Sequence, residues 1–322
     1  MDNPLIRLVD LSVKYFSFSN YINAVTDINL EVYPGETLGI VGESGSGKST
    51  VGWAILNMIE KPNIVTGSLI YDGMGEIFGL SEWKLSKYRW KKIAMVFQAS
   101  MNSFDPLQTI RKSFIQLLIE KGLATNKEDA TKIIKDSFTE LNLSPSVLER
   151  FPHELSGGMK QRIIIAMATT CEPEVLIADE PTTALDVVSQ FNVINILKDL
   201  IKLKKIKSMI FITHDISVQL IMADRLVVMY GGRIVEIGKK AEIIEDPKHP
   251  YTKILFKSFV KEETKRILNP SVYRESELTE KGQAGCPFIK LCDYVSPPCY
   301  ESFPKPVDLS ATHRVYCYVY GG

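Results

Sequence analysis

The octapeptide Gly42-Glu43-Ser44-Gly45-Ser46-Gly47-Lys48-Ser49 restricts the fold more than any other stretch of this chain. It follows an apolar, β-prone run at residues 37–41 and precedes helical apolar spacing at Val51, Ala54, Ile55 and Met58. A G-x-x-x-x-G-K-[ST] pattern between a strand and a helix predicts a phosphate-binding loop. Gly42, Gly45 and Gly47 permit backbone angles that turn successive N–H groups inward. The helix opening at Lys48 adds its positive dipole end and its unpaired N–H groups at the same point. Lys48 reaches the β- and γ-phosphates as a point charge, the Ser49 hydroxyl suits Mg²⁺, and Thr50 follows in the same turn. A triphosphate site over residues 42–50 is the expectation.

The 322 residues allow one large domain with an appendage, or two domains. With 45% hydrophobic and 24% charged residues, a substantial core is affordable. Lys and Arg number 38, as do Asp and Glu, so charge gives no reason to expect a nucleic-acid partner. Residues 1–10 alternate like a strand and contain no apolar leader, so no secretory signal is expected. No run approaches the ~20 apolar residues needed to cross a bilayer.

Strands are expected at 6–15, 28–32, 37–41, 68–71, 93–97, 175–179 and 208–213. Tyr15 closes the first, ahead of a polar turn, where an aromatic ring could stack on a purine. Gln98 directly follows the 93–97 strand, at the end where open α/β sheets present ligand contacts. Spacing becomes helical between 110 and 143, with the charged residues on one side. Leu155-Ser156-Gly157-Gly158-Met159 then repeats the logic of an anion site ahead of a helix, without a second Lys-Ser. Such a half-site makes sense if it completes another protein's nucleotide pocket.

The apolar run 175–178 ends in Asp179 and Glu180. Asp179 at a strand tip suits the Mg²⁺ hydration shell, and Glu180 is placed to polarise an attacking water. Asp186 lies in the loop before the next helix, and His214 follows the 208–213 strand, where an imidazole could sense a γ-phosphate. Residues 226–229 and 233–237 read as a terminal hairpin around Gly231-Gly232. Pro247 and Pro250 mark a boundary near Lys248-His-Pro-Tyr251. Of five cysteines, Cys171 sits in an apolar helix, whereas Cys286, Cys292, Cys299 and Cys317 cluster near the C-terminus. Without a secretory signal, such clustering suggests metal ligation before disulfides, with zinc and iron–sulfur both open. The gaps of five, six and seventeen residues lack the C-x-x-C knuckles of structural zinc.

Taken together these residues resemble the ATP-binding subunit of ABC transporters over nearly the whole chain. Residues 42–49 look like its Walker A loop, Gln98 its Q-loop, and 155–159 its signature sequence. Residues 175–179 look like its Walker B strand, Glu180 its catalytic carboxylate, Asp186 its D-loop, His214 its switch histidine and Tyr15 its adenine-stacking aromatic. The tail, His249-Pro-Tyr-Thr and the four late cysteines, is similar to the C-terminal extension of dipeptide/oligopeptide importer ATPases. In that subfamily four such cysteines hold a 4Fe–4S cluster, which leaves His313 outside the ligand set. A signature ending in Met159 is similar to the D-type subunit, and Lys290-Leu291 stands where an Arg is usual before Cys292.

The resemblance implies an α/β P-loop NTPase: a RecA-like core with an antiparallel β subdomain at 1–98 and 171–250, a helical subdomain at 99–170, and a Cys-rich extension at 251–322. It implies ATP and Mg²⁺, the metal held by Ser49, Gln98 and Asp179. It also implies an F-type cassette partner, two membrane permeases, an extracytoplasmic solute-binding protein, no nucleic acid, and a peripheral place on the cytoplasmic face of the membrane. Peptides are the expected cargo, and oligosaccharides if the chain is archaeal. A soluble ABC ATPase acting on ribosomes or DNA is the alternative; such proteins usually carry two cassettes or long coiled-coil insertions.

Overall fold

The computed structural model describes residues 3–97, 103–260 and 284–321. The chain divides into two compact units, one formed by residues 1–80 and 211–322, the other by 81–210.

The first unit begins with β1 (Ile6–Ser17) and β2 (Asn20–Val32), an antiparallel hairpin in register from Ser17↔Asn20 to Ile6↔Val32. Both strands run further than their apolar patterns predict. The two-residue turn puts Phe18 and Ser19 at positive φ, which matches the twist of a tight hairpin although neither is Gly or Asn. The fully buried β3 (Thr37–Val41) leads into α1 (Lys48–Ile55). β4 (Ile64–Tyr71) and β5 (Gly75–Glu76) complete a four-stranded antiparallel sheet in the order β2-β1-β4-β5.

In the second unit, α2 (Glu82–Tyr88) precedes β6 (Ile93–Val96). The helical stretch resolves into α3 (Ile110–Glu120) and α4 (Lys127–Glu140), with Thr109 and Asn126 accepting N-cap bonds. They share a core through Phe114 and Phe138, whose ring centroids lie 5.4 Å apart, edge to face. α5 (Gly157–Thr169) leads to β7 (Val175–Asp179), which runs parallel to β6. α6 (Val187–Lys202) follows, and β8 (Ser208–Ile212) spans the passage back to the first unit. The continuous apolar reading of β3, β7 and β8 is that of parallel strands covered on both faces.

Back in the first unit come α7 (Ile216–Met222), β9 (Arg225–Tyr230), β10 (Arg233–Lys239), α8 (Lys240–Glu245) and α9 (Pro250–Val260). The tail adds α10 (Pro298–Glu301), β11 (Val307–Asp308) and β12 (Arg314–Val315). β9 pairs in parallel with β3, and β10 antiparallel with β9, in the order β11-β12-β10-β9-β3. The expected hairpin is therefore not terminal, because β12 pairs with its outer strand at Glu236↔Val315. The carboxylate of Glu236, wholly buried, accepts from the N–H groups of Lys248 and His249, each at 2.8 Å, and meets His313 Nε2 at 2.7 Å. One carboxylate thus ties β10 to the chain entering α9 and to the tail.

Gly39 is set by packing. A Cβ there would lie 2.3 Å from Gln219 Oε1 and 2.8 Å from Ala223 Cβ. The buried Gln219 amide donates to Ile40 O (3.1 Å) and Phe211 O (2.9 Å), pinning α7 beneath β3. Gly39→Ala should therefore cost about 1–3 kcal/mol of stability through overpacking. Chemical denaturation would read this, and an unchanged midpoint would refute the packing.

Candidate nucleotide site

The loop between β3 and α1 is built from its glycines. Gly42, Gly45 and Gly47 have φ of 153°, 76° and 98°. A Cβ on Gly42 would lie 2.2 Å from Met229 O, and one on Gly47 2.8 Å from Ala24 O. Gly42 and Ser46 are buried while Glu43, Ser44 and Gly45 are exposed, so the arch rests on the sheet and presents its crest. Ser46 N–H closes the arch by donating to Glu43 O (3.2 Å). Lys48 is only 7% exposed, and its ammonium donates to Gly42 O (2.8 Å), Glu43 O (2.7 Å) and Ser46 Oγ (3.4 Å). The cation is held at the centre of the loop, at the mouth of a helix N-terminus, with Ser49 and Thr50 in the first turn. This donor set fits a polyphosphate and its cation. Glu43 N–H points away from the cradle and donates to the Tyr251 hydroxyl at 3.1 Å.

In the same unit, Tyr15 is half-buried inside β1 rather than at its end, paired with Ile22. Its ring borders a cavity of about 290 Å³ with Trp53, Met58, Ile59, Glu60 and Asn63. His214 is exposed two residues past β8, directly before Asp215, which caps α7 by accepting from Val218 N (3.2 Å).

The second unit holds the acidic pair and the half-site. Asp179 ends β7 at 3% exposure, and Glu180 follows with a left-handed φ of 51°. Such a backbone is uncommon for a glutamate and clusters at functional sites. Thr183 Oγ1 donates to Glu180 Oε2 at 2.5 Å and fixes the carboxylate from one side. Ser156 caps α5, accepting from Met159 N at 3.3 Å. Ser156 and Gly157 are exposed, anchored by buried Leu155 and Gly158. A Cβ on Gly158 would lie 2.4 Å from Ser189 Oγ, so only glycine lets α5 approach α6. Ser189 donates to Asp186 through its N–H (3.0 Å) and hydroxyl (2.6 Å), which makes Asp186 the cap of α6 and holds its carboxyl below the usual range. Just beyond it, Val187, Val188 and Phe191 are 80%, 70% and 64% exposed. Gln98 lies outside the described residues.

The cysteine expectation is corrected. Cys286, Cys292, Cys299 and Cys317 do come together, lining with His249 and Phe288 a gap of about 10 Å³. That is about one water's worth of space. Burial pushes the Cys286 thiol up to about 12 and raises those of Cys292 and Cys317. Among the described residues no group of three or more His, Cys, Asp or Glu side chains is set to hold a metal ion. The 4Fe–4S cluster is therefore not supported, nor is its zinc alternative. His313, outside the expected ligand set, is the buried partner of Glu236.

Sequence reading missed Thr183, Ser189 and Tyr251. A hydroxyl three residues after an acid and another three after a cap were signals for the first two; His-Pro-Tyr opening a helix was the signal for the third.

Comparison with known proteins bears on this geometry. Residues 25–183 match the family model described as ABC transporter, and 235–299 match that of the oligopeptide/dipeptide transporter C-terminal region. The chain is 35% identical over 98% of its length to the dipeptide transport ATP-binding protein DppD of Caldanaerobacter subterraneus subsp. tengcongensis, covering 97% of that protein. It is 41% identical over 77% of its length to the oligopeptide transport ATP-binding protein OppD of Bacillus subtilis, covering 70% of it. Among solved structures, it matches the dimeric ATP-binding cassette MJ0796 bound to ADP and Pi. That match has a TM-score of 0.64 at 30% identity and covers 73% of this chain and 98% of the other.

Proposed function

The chain belongs to the ABC transporter family of ATP-hydrolysing subunits, and we propose that it powers an importer of di- and oligopeptides. The observation that carries the reading is the separate half-site. Ser156 and Gly157 present a helix N-terminus outward in a unit without a phosphate loop of its own, with Val187, Val188 and Phe191 exposed on the helix packed against it. Polar donors beside uncovered apolar side chains suit a second cassette arriving with its own bound triphosphate. The two cassettes face head to tail, each nucleotide lying between one 42–50 loop and the other's Ser156-Gly157-Gly158. An F-type chain is the proposed partner.

When nucleotide binds, Lys48 keeps its bond to Gly42 O and turns its other donors, held here by Glu43 O and Ser46 Oγ, to phosphate oxygens. Tyr15 packs on the adenine. Ser49, Asp179 and Gln98 are the residues that would hold Mg²⁺, which would supply positive charge against the β- and γ-phosphates. Glu180, steadied by Thr183, takes a proton from the attacking water, and His214 contacts the γ-phosphate. Asp186 orders the first turn of α6 at the cassette junction. Among the described residues no helix is long and apolar enough to cross a membrane. Two permeases supply the membrane path in this reading, and the chain meets them on the cytoplasmic face through its helical part, 99–170. An extracytoplasmic binding protein delivers the cargo, and residues 251–322 form an extension of the nucleotide-binding core.

Reconstitution of the chain with its partner cassette and both permeases in proteoliposomes is the test. ATP-dependent peptide uptake, with hydrolysis raised by the permeases, is the expected result. Uptake of oligosaccharide alone would replace the cargo class. Full-rate hydrolysis by a strict monomer would overturn the importer reading.

A further inference from the structure

Tyr251 is 2% exposed at the start of α9, its ring packed on Tyr230 (centroids 4.6 Å apart) and on Phe288 (5.6 Å). Its hydroxyl accepts from Glu43 N–H at 3.1 Å. That N–H belongs to the peptide unit whose carbonyl, Gly42 O, accepts from Lys48 Nζ at 2.8 Å. A peptide unit is planar, and in the trans form its N–H and C=O point in opposite directions. Fixing one end therefore aims the other. Here the phenol holds the donor end, and the carbonyl is aimed at the ammonium.

The packing around Tyr251 leaves its ring little freedom. Phe288 stands edge-on to Tyr230 at 5.2 Å, and Pro287 sits so close over Gly231 that a Cβ there would lie 2.6 Å from it. The same turn reaches the loop at a second point, where Gly232 N–H donates to Ser46 O at 3.2 Å. Tail residues Pro287 and Phe288 thus lie over both supports of the loop, one through Tyr251 at its entry and one through the β9–β10 turn at the buried Ser46.

We infer that Tyr251 is a positioning residue for the phosphate-binding loop, setting the Gly42–Glu43 peptide plane and through it Lys48, so that the C-terminal segment takes part in ATP affinity. The inference rests on the nucleotide reading of the loop. Tyr251→Phe removes the acceptor and keeps the ring against Tyr230 and Phe288. In the full-length chain, the Kd for a fluorescent ATP analogue and the KM for ATP should rise about three- to tenfold, the range of one lost hydrogen bond. The kcat should stay within about twofold, and the Glu43 amide should exchange its hydrogen faster. A merely structural tyrosine would instead lower the unfolding midpoint and leave KM alone. Wild-type binding together with an unchanged Kd and KM in the variant overturns this inference only. A wild-type chain that does not bind the analogue overturns the nucleotide reading with it.

Discussion

Glu180→Gln should lower kcat for ATP hydrolysis by about 10²–10⁴-fold, the span associated with a positioned general base. The substitution keeps the size of the side chain and one oxygen for the Thr183 hydroxyl, which lies 2.5 Å from the carboxylate. What disappears is a group able to take a proton from water. ATP binding does not need that proton transfer, so the variant should still take up nucleotide and accumulate as a closed cassette pair. Size-exclusion chromatography with ATP and Mg²⁺, read beside single-turnover hydrolysis, checks both halves. Turnover at the wild-type rate would remove Glu180 from the role of base.

The second large effect is expected at the half-site. Gly157→Asp places a carboxylate on the first residue of α5, at an exposed position. A negative charge at a helix N-terminus favours the helix itself, so the fold should survive. The same charge would face the incoming γ-phosphate of the partner's nucleotide and repel it, besides competing for the N–H donors. Loss of one such preorganised donor typically costs about 10²–10³-fold in turnover, and hydrolysis by the assembled pair should fall by at least about a hundredfold. Binding of ATP by the isolated chain, which depends on residues 42–50, should stay at the wild-type level. Equilibrium titration of the chain alone beside ATPase assays of the pair separates the two. Undiminished hydrolysis would mean that α5 contributes nothing to a partner's nucleotide.

Most of this machinery is written locally and was legible for that reason. The strands β3, β7 and β8 are continuous apolar runs, and the glycines of residues 42–47 sit between one of them and a helix. The Asp179-Glu180 pair and Ser156 announce themselves by position at the end of a strand and the start of a helix. The opening half of β2 is different: Asn20, Tyr21 and Ile22 are exposed and carry no alternation, so only pairing with β1 makes them a strand. β11 and β12 are two residues each, too short for any period, and exist because β10 offers an edge. The thiols misled because their spacing records proximity but not the space between them. The contact from Tyr251 to Glu43 bridges 208 positions, beyond the reach of any pattern.

The first unit draws on both ends of the chain, and the second is one uninterrupted stretch from Ser81 to Ile210. On a ribosome the inserted stretch is therefore complete first and can fold as a unit while synthesis continues. β3 emerges early yet must wait for β9, made nearly two hundred residues later, before its neighbour exists. The phosphate loop is thus among the earlier segments to be translated and among the last to acquire its shape. A nascent chain should remain unable to hold nucleotide until β9 has emerged and paired with β3.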